Sequence, residues 1–223
     1  MATARRRRPG SLLAVLLLVL GSGSLGWAGG YYYYSQQPAP LPSATFDLAP
    51  SDVVAQAAAD RGSTGESTGT TSQAPAMEPD QIVLPTINAS APMDYLGVDS
   101  GELLLPDGSR VTIYSEGSYP GDSTGTVLIA GHVNSETLAR GALFDLGDIQ
   151  PGDSIWVTDQ QGNPVEYLAV KLEVLHKQEL PQDIFTRNGE PRLVIVTCGG
   201  EIVTTASGRR GYESNVILTA VPA

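Results

Sequence analysis

Between residues 81 and 223, short runs of Val, Ile, Leu, Thr and Tyr recur, each closed by Gly, Pro, Asp or Asn. The runs are too short for most helices, and their composition suits extended backbone. Candidate strands are QIVLPTI, GELLLP, RVTIY, TVLIAG, SIWVT, VEYLAVKLEVL, RLVIVTC and NVILTAV. Between Val157 and Val165 the polar TDQQGNP reads as a hairpin turn, with Gly162 and Asn163 able to take positive φ. Short helical turns are expected at ALFDLGDI and PQDIF. Eight strands with few helices and no internal repeat predict an all-β domain of about 143 residues, enough for one core. The pattern alone fits a closed barrel or a sandwich.

The segment before this domain is organised differently. Arg5–Arg8 form a basic tail over residues 1–10, and an apolar stretch follows at residues 11–29. Arginines held on the cytoplasmic side of such a stretch predict a single-pass transmembrane anchor, with the remainder extracellular. Trp27 and Tyr31–Tyr34 suit the outer membrane interface. A cleaved signal peptide is the alternative, since GWAGG offers small residues, although it contains no A-x-A site. Residues 30–80 are rich in Pro, Ala, Ser, Thr and Gly and are expected to be a flexible tether. Within it DVVAQAAAD could form a short helix, and LPSAT at Leu41–Thr45 faintly resembles a sorting signal.

The formal charge is −11, but setting aside Arg5–Arg8 leaves nine basic against 24 acidic residues, or −15. That balance argues against a nucleic-acid partner. The chain has one cysteine, Cys198, so no internal disulfide is available to an exported protein. In LVIVTCGG an apolar run ends at Cys198, and Gly199 and Gly200 allow the backbone to turn or approach a ligand. A lone thiol outside the cell risks oxidation, which favours a reactive role over packing. A thiol nucleophile needs a nearby base. Of the two histidines, His132 in TVLIAGHVN repeats the strand-end context of Cys198, whereas His176 in LEVLHKQ reads as a solvated strand end. Arg209 and Arg210 lie in the loop between the last two candidate strands and are candidate cations.

Taken in order, IVLPTINASAP, LGVDSGELLLP, YPGDSTGTVLIAGHVN, LFDLGDIQPGDSIWV, LVIVTCGG and NVILTAV resemble the sortases, cysteine transpeptidases of Gram-positive surfaces. The resemblance is nearest to the class E and F members of actinobacteria and covers residues 81–223. It implies a closed eight-stranded β-barrel as the catalytic domain, preceded by the anchor and tether. It also implies cleavage of a C-terminal LPXTG- or LAXTG-type motif through a thioester on Cys198. His132 would act as acid and base, and the acyl group would pass to an amine of a peptidoglycan precursor or pilin. No metal or organic cofactor is expected. Two positions depart from the family pattern: Glu213 in YESN stands where an arginine is usual, and Asn134 stands where an aspartate is usual. Arg210, or failing that Arg209, is then expected to supply the charge from a shifted position. A degenerate, peptide-binding surface module is the alternative function. An L,D-transpeptidase is disfavoured because SHGC is absent, and papain-like peptidases because histidine precedes cysteine here.

Overall fold

The computed structural model describes residues 37–62, 73–135, 138–204, 208 and 210–223. The basic tail and the expected anchor lie outside these residues. No described helix is long and apolar enough to cross a membrane.

Eleven strands are described: β1 (Phe46–Asp47), β2 (Gln81–Leu84), β3 (Ala89–Leu96), β4 (Val98–Asp99), β5 (Glu102–Leu103), β6 (Val111–Tyr114), β7 (Thr126–Gly131), β8 (Ser154–Thr158), β9 (Pro164–His176), β10 (Arg192–Thr204) and β11 (Arg210–Pro222). Eight of them run in the order β9-β11-β10-β7-β6-β3-β2-β8, and β8 pairs back onto β9. The sheet therefore closes into a barrel. Two neighbouring pairs are parallel, β3 with β6 and β7 with β10, and the rest are antiparallel. Alternate residues face inward, so Ile82, Ile113, Ile129, Ile195 and Leu218 meet in one buried core.

Two sequence expectations change. GELLLP supplies no barrel strand; Glu102–Leu103 pairs only with Val98–Asp99 in a separate hairpin. The barrel position is taken by ASAPMDYL, whose small residues and Pro92 conceal a strand. Pro92 is tolerated because it sits opposite Gln81, the first residue of β2, and pairing with β6 begins only at Met93. The turn at TDQQGNP is as expected, with Gly162 at φ +82° and its amide bonded to the Asp159 carbonyl. Both helical turns form as 3-10 segments, at Leu146–Asp148 and Gln182–Phe185.

Residues 37–62 also differ from the tether expectation. Helix α1 (Pro50–Gly62) packs on β9, and β1 pairs with Lys171 and Leu172 of the same strand. β9 is 13 residues long, and β8 covers only its first part, so β1 can pair with Lys171 and Leu172 beyond it. Few apolar residues are needed when a finished barrel offers the partner surface. Val53 is buried against Leu168 and Val170, and Arg61 pairs with Glu166 at 2.9 Å. Val53→Ala removes two methyl groups from this contact and is expected to cost about 1–2 kcal/mol, lowering Tm by roughly 2–6 °C. An unchanged Tm would mean that the helix adds nothing to stability.

Candidate active site

β7 and β10 pair in parallel from Thr126↔Arg192 to Ala130↔Val196. Continued by two residues, this register sets Gly131 beside Thr197 and His132 beside Cys198. Neighbouring strands lie about 4.8 Å apart, so the register brings imidazole and thiol within reach of each other. The step past Val196 is held by a side chain. The buried Thr197 hydroxyl donates to the Gly131 carbonyl at 2.9 Å. Inward-facing Leu193 and Ile195 set the alternation that turns Val194, Val196 and Cys198 to the outer face of the barrel.

Cys198 is half-buried. It lies opposite Asn215 of β11, and β10 continues beyond it to Thr204. What ends near the cysteine is the pairing with β7, whereas the strand itself runs on. Gly200 takes φ +84°, and the register between β10 and β11 slips between Gly199 and Ile202. The two glycines therefore serve a bulge inside a hairpin, a correction to the strand exit and sharp turn read from LVIVTCGG.

His132 follows the last residue of β7. The loop after it folds back so that the Gly141 amide bonds to the Val133 carbonyl at 2.7 Å. A Cβ on Gly141 would sit 2.2 Å from the His132 carbonyl oxygen, so only glycine fits this approach. Burial pushes the imidazole below its ordinary value; a hydrogen bond to the Pro106 carbonyl and the charge of Asp107 oppose this, and Lys177 adds to it. Proline has no amide hydrogen, so the ring N–H must be the donor, which fixes the tautomer and leaves the other nitrogen for chemistry.

Asn134 and Tyr212 add a contact that the sequence did not reveal. The Asn134 side-chain amide donates to the Tyr212 hydroxyl at 2.6 Å, tying the histidine loop to β11. Burial raises the pKa of Tyr212, and the nearby Cys198 acts in the same direction, while Asn134 acts against both. The departure at Asn134 thus has a structural partner.

The outer face below Cys198 is apolar. Leu128, Val194 and Ile217 form its floor, and Ile184 and Phe185 from the segment before β10 pack over it. That segment is pinned by Arg192, whose guanidinium bonds both the carbonyl and the carboxylate of Asp183 at 2.9 Å. These residues pack on one another as a second buried apolar cluster on the outer side of β7, β10 and β11.

Arg210 does not join this group. Arg210 is exposed and pairs with Thr204, six residues beyond Cys198 along β10, or about 20 Å of extended chain. Arg209 lies outside the described residues. Glu213 turns onto Gly200, its Oε1 3.1 Å from the position a Cβ there would occupy. His176, at the end of β9, is exposed as expected. Among the described residues no cluster of His, Cys, Asp and Glu could hold a metal ion.

The family model for the sortase domain matches residues 74–223. The chain belongs to the sortase family. It is therefore a cysteine transpeptidase by family, with a domain that begins slightly before the expected residue 81. Sortase E1 from Streptomyces coelicolor, solved with a tripeptide in its active site, is 18% identical, with 68% of this chain and 91% of that chain covered at a TM-score of 0.49. A Clostridium perfringens sortase D5 is 21% identical over 64% of this chain and 77% of its own, at a TM-score of 0.46. A lid mutant of Corynebacterium diphtheriae sortase A is 17% identical over 78% and 93%, at a TM-score of 0.49. Among curated proteins no sequence match was found.

Two measurements test the geometry of this sortase. Thr197→Val leaves the Gly131 carbonyl buried without its donor and is expected to cost about 1–3 kcal/mol, with Thr197→Ser recovering most of it. An NMR titration of His132 is expected to show a midpoint below the ordinary value of about 6.5. Asp107→Asn should move that midpoint lower still, because the carboxylate favours the imidazolium. A midpoint above 6.5, or an upward shift in the variant, would contradict the described environment.

Proposed function

We propose that this sortase cleaves a C-terminal LPXTG- or LAXTG-type motif and transfers the acyl group to an amine of a peptidoglycan precursor or pilin. It would do so on the extracellular side of a membrane to which residues 11–29 anchor it. The observation that carries the reading is the β7–β10 register, whose continuation by two residues sets His132 beside Cys198.

In the first step the Cys198 thiolate attacks the carbonyl carbon of the motif's threonine. The carbon–nitrogen bond breaks, His132 gives its proton to the departing amine, and a thioester remains. In the second step an incoming ammonium first releases one proton to solvent. The neutral amine attacks the thioester carbonyl, His132 takes the second proton from its nitrogen, the carbon–sulfur bond breaks, and the thiolate and imidazolium are restored. Water can replace the amine, which gives hydrolysis.

The usual arginine is replaced by Glu213, and Arg210 is remote by register. Arg209 is the next residue along the chain, one Cα step of about 3.8 Å away, so the proposal assigns the orienting role to neither arginine. Chromatography and mass analysis of LPXTG and LAXTG peptides mixed with an amine acceptor test the assignments. Cys198→Ala and His132→Ala should each abolish measurable joining. Arg209→Ala and Arg210→Ala should each stay within about twofold of the parent. A loss of about 10²-fold or more in either variant would restore an arginine to the mechanism. No cleavage of either motif would favour the alternative, a degenerate module that binds peptides, for which Glu213 is the supporting observation.

A further inference from the structure

The segment Ala39–Pro42 lies against β10 immediately past the cysteine. Ala39 exchanges both backbone hydrogen bonds with Gly200, its amide donating at 2.9 Å and its carbonyl accepting at 3.2 Å. Gly200 is available for this because the bulge leaves it without a β11 partner. Leu41 then occupies the space over Gly199, with Cδ2 2.8 Å from where a Cβ would stand, and Pro42 rests on Gly147 with its Cα at 3.1 Å. Two glycines therefore seat the Leu-Pro of LPSAT. Ala44 and Thr45 occupy the positions where a cleavable sorting motif carries threonine and glycine.

Strand alternation separates this segment from the outer apolar cluster. Cys198, Val196 and Val194 face that side, whereas Leu41 sits on Gly199, whose direction is opposite. The segment thus takes a backbone edge two residues beyond the nucleophile. Glu213 lies over the same Gly200. A carboxylate at that point attracts a cation.

We propose that the backbone of Gly200 together with Glu213 is the binding site for the amine acceptor, an extended peptide bearing a primary ammonium, and that Ala39–Pro42 occupies it in cis as a displaceable strap. The acceptor pairs with the Gly200 backbone as an added strand, and the charge of Glu213 draws its ammonium toward the thioester. Ala39 is 5% exposed and Leu41 48%, so the strap is anchored at one residue and open two residues on. A short contact of this kind can yield to a competing strand.

The inference rests on the transpeptidase reading above, and its test has one arm independent of turnover. In the full chain, triglycine amide is expected to speed hydrogen exchange in the peptide spanning residues 38–45, and Glu213→Gln should weaken that response. With an LPXTG donor, Ala39→Pro, which removes the amide donor, and Leu41→Ser, which removes the apolar seat, should each lower KM for triglycine amide by about three- to tenfold. Hydrolysis without acceptor should be unchanged in both strap variants, and a synthetic Pro38–Thr45 peptide added in trans should restore the higher KM. Unchanged exchange at saturating triglycine amide overturns the proposal, as does a fall in hydrolysis that parallels any change in transfer. If no sorting peptide is cleaved but exchange responds to the acceptor, the transpeptidase reading fails while the binding site stands.

Discussion

The hydrogen bond from the Thr197 hydroxyl to the Gly131 carbonyl is the contact on which the candidate site depends. Backbone pairing between β7 and β10 ends at Ala130 and Val196, one residue short of that contact and two short of His132 and Cys198. Without a link at that point the two strand ends are free to splay apart. The side chain extends the register by one step, so that imidazole and thiol leave the barrel side by side. Because the bond is buried, losing its donor would leave a carbonyl with no partner, and the geometry is held by that penalty as much as by attraction.

Everything else at the site is arranged around this junction. The barrel core fixes which residues of β7 and β10 face outward, and the same alternation builds a second apolar cluster on the outer side. The close approach of Gly141 to the His132 backbone and the Pro106 carbonyl orient the imidazole from behind. The Asn134–Tyr212 bond ties the histidine loop to β11, which already carries Asn215 opposite the nucleophile. These contacts come from four separate stretches of chain, so they act only once the barrel is closed.

Much of the fold could be read from composition because most barrel strands are buried, β-branched and bounded by turn residues. TVLIAG, SIWVT and RLVIVTC are of this kind. ASAPMDYL was missed because its burial alternates through Ala91 and Met93, with Pro92 between them, and small residues give a weak strand signal. GELLLP misled for the opposite reason: it is apolar, yet Leu104 is largely exposed. Cys198 and His132 stood out as polar residues directly after apolar runs, and their separation of 66 equals the β7–β10 register offset, although Cys198 lies within β10 rather than at its end. Thr197 and Tyr212 carried no local signal, since a hydroxyl next to a cysteine and a tyrosine before a glutamate acquire meaning only from tertiary partners. The packing of residues 39–57 was hidden likewise, because its apolar content is low and the surface that orders it belongs to β9 and β10.

The central claim is that Cys198 is the residue on which a cleaved sorting peptide is held. Acid-quenched mixtures of the protein with an LPXTG peptide and no amine, digested and weighed, test this most directly. The account predicts an added mass equal to the peptide up to its threonine, on the fragment containing Cys198, and its removal by hydroxylamine. An adduct on any other residue, or peptide cleavage with no adduct in rapidly quenched samples, would contradict it.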